Sequence, residues 1–518
     1  MAGGEEQGAA AARERGAVED DGGVPGIATR GPRRPWSSPA TWVSTTYFAE
    51  GFPYSIVNNL AEILFKELGA SLQVIGLTAL FHLPWNLKFL WGPFLDQYET
   101  KRAWLIAVEV LLSVLLLVLA LVVGASPSLL AIAACVALLA FLSATHDIAI
   151  DGYYLEGLGE SDQSRYVGYR AAAYRVAGLT VASPLLLLIG VAGWRTGLLA
   201  ATVVMLLLTA YHALFLPRAE RRRLSAVAAL RDRSVQAALI GVAALAGVAI
   251  AAVRLAPSGG LVADALGALG RSGFLGISLA GWISIVLLLV LVGALLSLDR
   301  IRTRLAGRDS PYAAAFVDFL AQRRIGLVLL FIVTFRVGES FLTKMRWPFL
   351  HDVLGMTISE YAWANGTLGT IASFAATFVG GRLIARDGLR RWIWPFVLAQ
   401  NVLNLLFVWL AWLGAEGAGQ VLTVAVIGLE QFGAGLGTAV FMVYLMRCCA
   451  PEHRAAHMAI VTALMSVSFT LAGVGSGFLA ASMGFGPYFL FTFLVTIPGM
   501  ALLFFLPHLD GREEPSRA

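Results

Sequence analysis

GPFLDQYETKR, residues 92–102, follows an apolar stretch of helical length, and GRLIARDGLRR, residues 381–391, follows another. Each opens on a glycine, Gly92 or Gly381, and closes on two cations, Lys101 and Arg102 or Arg390 and Arg391. The first copy carries Asp96, and the second has Ala385 at that place. Two copies of one loop at matched places imply a chain built from two related halves, a construction that recurs among secondary transporters. Two unrelated positively charged loops would leave the matched placement without a reason.

Around the loops, composition fixes the environment. Hydrophobic residues make up 58% of 518 positions, charged residues 14%, and the mean hydropathy is +0.75. Soluble domains carry about 25% charged residues. A membrane-crossing helix needs about 20 apolar residues. Twelve such stretches lie near 41–64, 72–94, 103–123, 128–157, 165–191, 195–216, 325–350, 359–385, 392–413, 420–447, 455–483 and 485–507. Two more, near 235–255 and 273–298, fall in the middle. The expectation is an all-α polytopic membrane protein with two six-helix halves and two extra central helices, 14 in total. The short alternating segments of a transmembrane barrel are missing.

The domain plan follows. Residues 1–40, rich in Ala, Gly and charge, read as a disordered cytoplasmic tail and not as a secretory signal. Residues 41–217 form the first half, 218–324 hold cytoplasmic loops and the inserted helices, 325–508 form the second half, and 509–518 are a second cytoplasmic tail. About 28 of the Lys and Arg residues fall on one side of this plan and about four on the other (Lys66, Arg195, Arg254, Arg271), which predicts cytoplasmic termini. The pI near 9.2 therefore speaks to topology before nucleic acid. Cys135, Cys448 and Cys449 show neither disulfide nor metal-ligand spacing. No GxxxxGKS or GxxxxGKT, HExxH or GxSxG is present, so an enzyme has no constellation behind it, and neither cofactor nor metal is expected.

Charges inside apolar helices are costly and point to function. HDIAIDGYYLE, residues 146–156, places Asp147 and Asp151 four apart on one helix face. At 1.5 Å per residue, Asp151, Arg170 and Lys88 lie about 8–9 Å from the cytoplasmic boundary, and Asp147 and Arg175 about 15 Å. That layering predicts a structural gate network of Asp151 with Arg170 and Lys88, and a functional pair of Asp147 with Arg175. Glu50, about 14 Å deep, sits in TTYFAEGFPYSIVNN beside Tyr47, Tyr54 and Pro53, with Asn58 and Asn59 beyond. An unpaired acid at that depth can carry a proton near neutral pH. The seventh helix, FRVGESFLTKMRWPFL, mirrors it with Arg336, Glu339, Lys344 and Trp347, while Arg346 is expected to snorkel to the interface.

Glu50, Asp147, Asp151, Glu339 and Glu430 are thus candidate proton-coupling acids. Tyr47, Tyr54, Asn58, Lys88, Arg170, Arg175, Arg336, Lys344 and Trp347 are candidate substrate ligands in a cavity whose cations attract carboxylates or phosphates. Asn365, Gln400, Asn401, Asn404 and Gln431 read as interhelical hydrogen-bonding amides.

With these residues in hand, the chain resembles the AmpG-like branch of the major facilitator superfamily. That branch includes muropeptide permeases and is related to acetyl-CoA transporters. The resemblance runs from about residue 41 to residue 508, and rests on YFAEGFPY, LPWNLKFLWGPFLD, DIAIDGYYLE with VGYRAAAYR, FRVGES and EQFGAGLGTAVFMVYLM. The paired loops are similar to the superfamily pattern G-x-x-x-D-x-x-G-R-R, which makes Gly92, Asp96, Lys101, Arg102, Gly381, Arg390 and Arg391 candidate gating residues. Departures are His146, where Gln is familiar, and Glu50, where small residues are common. The resemblance implies proton-driven import of a sugar- and peptide-containing anion by a monomer in the bacterial inner membrane, with lipid around it. A siderophore or acyl-CoA would be served by the same cavity. A receptor or scaffold on this fold is the alternative from another class.

Overall fold

The computed structural model describes residues 35–88, 91–125, 129–218, 311–450 and 453–510, with isolated positions between 286 and 303. The inserted helices and both expected tails fall almost wholly outside the described residues. Each of the twelve outer stretches is helical. We number them α1 (39–67), α2 (72–87), α3 (Lys101–Val123), α4 (Leu129–Gly157), α5 (160–192), α6 (194–215), α7 (Ile325–Asp352), α8 (Ile358–Asp387), α9 (Leu389–Gly417), α10 (Gln420–Arg447), α11 (Arg454–Met483) and α12 (Phe485–Leu502).

Local chemistry sets the ends. Ser38 caps α1 by accepting from the Thr41 amide, with Pro39 at the first helical position. Thr100 caps α3 in the same way, and Thr357 and Glu360 form a reciprocal capping box on α8. Adjacent helices reverse through single left-handed glycines, Gly193, Gly388 and Gly484, where a side chain would be strained. Three helices widen into π-turns: Ile56–Leu60 in α1, just after Pro53, Val181–Leu185 in α5, which contains Pro184, and Ala362–Gly369 in α8. Proline lacks the amide that the regular ladder needs, and such turns often mark functional sites.

Packing divides the helices into two groups. In the first, α1 packs on α5 and α4, and α3 on α4 and α6; in the second, α10 packs on α8 and α9, and α12 on α9 and α7. The groups meet mainly along α2 with α11 and α5 with α8. Small residues permit this approach. A Cβ on Gly477 would lie 1.9 Å from the Leu72 carbonyl oxygen, and one on Gly366 would lie 1.9 Å from that of Ala182. Both contacts lie toward the end of the bundle that carries Lys66. Polar cross-links cluster there too: Lys66 with Asp352 at 2.5 Å, Lys344 with Glu62 at 3.0 Å, and Ser183 with Thr367 at 2.5 Å. Deeper in, His82 meets Ser466 at 2.6 Å. The outward faces of α3 and α6 show Val110, Leu111, Val114, Leu207 and Leu214, an exposed apolar surface.

Candidate functional site

α1, α4, α5 and the end of α2 bring five of the expected charges into one cluster. Ligand atoms of Glu50, Asp147 and Asp151 lie within 4.8 Å of one another. Lys88 Nζ binds Asp147 at 2.7 Å, and Arg170 binds Asp151 at 2.9 Å. The Tyr47 hydroxyl donates to Asp151 at 2.8 Å, and the Arg170 guanidinium sits 4.5 Å from the Tyr47 ring centre. Glu50 is buried, and its Oε2 has no hydrogen-bond partner among the described residues. Lys88 and Arg170 keep 37% and 38% of their side chains exposed although they lie within the bundle. The two expected layers are therefore one network. Lys88 belongs to Asp147 and not to Asp151, because depth along a helix fixes level but not which face a flexible chain can reach. Arg175, expected beside Asp147, faces elsewhere.

Arg175 lines a cavity of about 300 Å³ between the two groups of helices. It meets no carboxylate among the described residues and lies 5.6 Å from the Phe374 ring of α8. Asn59, Glu62, Thr343, Arg346, Asn365 and Gln431 also face this space. Each of the three π-turns contributes to its wall, through Asn59 and Leu60, Val181 and Ala182, and Asn365.

The other expected ligands are engaged differently. Lys344 and Trp347 are buried toward the Lys66 end and do not line the cavity: Lys344 bridges Glu62 and the Thr78 hydroxyl, and Trp347 packs on Tyr361 and His351. Tyr54 packs against His82 and Trp85, and Asn58 joins the Tyr54 carbonyl to His82. Arg336 pairs with Glu339, to which Gln400 also donates. Arg346 does not snorkel. It is 2% exposed and binds Glu430 and Asn365, each at 2.8 Å, because α7 directs it into the bundle and not toward lipid.

At the loops, Lys101 pairs with Asp96, and Arg102 binds the carbonyls that end α6. In the second copy the acid is Asp387, two places after Ala385. It accepts from Arg386 and Trp392 at 3.0 Å, while Arg390 pairs with Asp510 at 2.6 Å.

Two buried acids escaped the sequence reading. Glu62 lies close enough to the end of α1 to look interfacial, although it stands four residues after Asn58 on the same polar strip. Glu109, in the third turn of α3, is fully buried and meets His212 at 2.7 Å and His146 at 3.3 Å. The unusual His146 was the available signal for that cluster.

Comparison with known proteins agrees with the geometry. The model of the Major Facilitator Superfamily matches residues 327–518, and that of the BT1 family matches residues 56–168. An auto-inhibited POT family peptide transporter superimposes with a TM-score of 0.63 at 15% identity, covering 92% of this chain and 98% of that one. This is the major facilitator fold, and the chain is a multi-pass membrane protein. The anhydromuropeptide permease of Escherichia coli K12 is 24% identical over 88% of this chain and 77% of its own. The putative transporter AmpG 4 of Rickettsia conorii is 24% identical over 88% of this chain and 93% of its own. The chain is thus similar to AmpG-like proteins, a permease and a putative transporter by name.

Proposed function

We propose that the protein is a proton-coupled importer of an anionic, muropeptide-like solute in a bacterial inner membrane, with both termini cytoplasmic and the Lys66 end outward. The observation that carries the coupling is the charge count around Glu50: three carboxylates share two cations. Two unshielded carboxylates at such a separation repel by roughly 3 kcal/mol at an effective dielectric near 20. A proton on Glu50 removes that repulsion and the surplus charge together. The exposed flanks of Lys88 and Arg170 give it a path from the Lys101 end.

Arg175 supplies the unpaired cation for a solute carboxylate. Asn59, Thr343, Asn365 and Gln431 supply the donors and acceptors that sugar and peptide groups need. Contacts at the Lys66 end correspond to a state open toward the cytoplasm. Entry from outside requires the α2–α11 and α5–α8 contacts to part.

Uptake of an anhydro-muropeptide, a siderophore and an acyl-CoA into proteoliposomes tests this. The expected result is accumulation of the anhydro-muropeptide only under an inward proton gradient. Equal uptake with and without the gradient would remove the coupling, and accumulation of another solute alone would replace the substrate.

A further inference from the structure

The cavity presents a guanidinium from each half, Arg175 on α5 and Arg346 on α7. Their situations differ. Arg175 has no carboxylate partner among the described residues. Arg346 is held by Glu430 through Nη2 and by the Asn365 carbonyl through Nη1, and Asn365 is itself fixed by Gln431 Nε2 at 3.2 Å. The hold is incomplete. Arg346 Nε and Glu430 Oε1 are both buried without a hydrogen-bond partner among the described residues, although Arg346 and Glu430 are 2% and 1% exposed. A guanidinium and a carboxylate at their best make two parallel bonds. This pair makes one, and a buried donor is left with unused capacity beside the cavity.

We propose that the cavity seats a solute with two acidic groups, one bound by Arg175 and the other by Arg346, and that Glu430 occupies Arg346 until the second group displaces it. The proposal rests on the cavity being the transport site argued above, and it names a class of solute which that reading leaves open. A monoacid satisfies Arg175 alone and leaves the Arg346–Glu430 pair shut. A diacid joins the two halves through the solute itself.

A buried carboxylate left without its cation is strongly disfavoured, so Glu430 takes up a proton as it is displaced. The charged and titratable groups around it are Arg346, Arg336 and Glu339 on α7, Tyr361 on α8 and, across the cavity, Glu62 on α1. Glu339 is already committed to Arg336, and Glu62 to Lys344, so neither offers Arg346 a second carboxylate.

Binding to the purified full-length protein, followed by thermal shift and calorimetry, tests the proposal with two probe pairs. One pair is an anhydro-muropeptide with its peptide carboxylates free against the same molecule with one amidated; the other is glutarate against butyrate. The wild type should prefer the diacid of a pair by roughly tenfold, the scale of one charge-assisted bond. Arg346→Gln alone strands Glu430, so the neutral pair Arg346→Gln/Glu430→Gln is the safer variant. It should reduce the preference to within about twofold while monoacid binding persists. Glu430→Gln should tighten diacid binding. Retention of the preference in the double variant, or its absence from both pairs in the wild type, overturns the proposal. If neither muropeptide binds while glutarate still beats butyrate in an Arg346-dependent way, the muropeptide assignment fails and the two-acid seat stands.

Discussion

The two halves keep their buried charge in different ways. In the first, Glu50, Asp147 and Asp151 share Lys88 and Arg170, so one acid has no cation of its own. In the second, Arg336 answers Glu339 and Arg346 answers Glu430, so each of these acids has a cation of its own, while Lys344 reaches across to Glu62 of the first half. A surplus acid is satisfied by the smallest cation available, a proton. A balanced pair stays closed until another anion competes for its cation. Under the proposed function, the driving ion belongs to one half and a solute-responsive contact to the other, and this contrast can be attacked residue by residue.

Glu50→Gln should break it most severely. With one proton coupled, a gradient of one pH unit sustains about a tenfold concentration ratio, since 1.4 kcal/mol is tenfold. The variant should lose that accumulation yet still exchange solute across the membrane. Wild-type uptake should fall as the outside pH rises, and the variant should be flat. A gradient-driven wild-type ratio in Glu50→Gln would place the proton elsewhere.

Arg175→Gln comes next. It should raise the KM for an anionic solute by about tenfold, as expected for one charge-assisted bond, with the pH profile unchanged. A shift in pH profile would tie Arg175 to the acid cluster and erase the contrast drawn here. Gly477→Val attacks the contact through which the halves meet. Overpacking of this kind costs about 1–3 kcal/mol, and the added carbon falls on the Leu72 carbonyl. The Lys66 end should be forced open, seen as faster alkylation of a cysteine placed at Ser71. Lys66→Ala should do least, under about 1 kcal/mol in thermal unfolding, because that pair is partly solvated.

Much of this was legible without a structure. Apolar length located helices in all twelve outer stretches. The i, i+4 spacing of Asp147 and Asp151 correctly put both acids on one face. Partnership was less legible. Rise per residue gives depth, but rotation about each helix axis decides neighbours, and π-turns in α1, α5 and α8 shift that rotation partway along. Arg175 was therefore assigned to Asp147, while Lys88 with its long stem reached that acid. Arg346 and Glu62 sit near helix ends, where sequence alone cannot tell a buried pair from an interfacial charge. Asp387 escaped because the second loop moves its acid two places along.

The π-turns at the cavity also bear on how such a protein changes over generations. A widened turn takes a carbonyl out of the regular ladder. Two carbonyls at or beside these turns are met by side chains: Asn58 donates to that of Tyr54, and Thr367 to that of Ala362. An acceptor of this kind is supplied by the path of the backbone and not by a side chain. Single substitutions along the wall leave such acceptors in place. Recognition of hydroxyls should then drift slowly through a lineage, whereas preference for charge can turn over with one codon at Arg175.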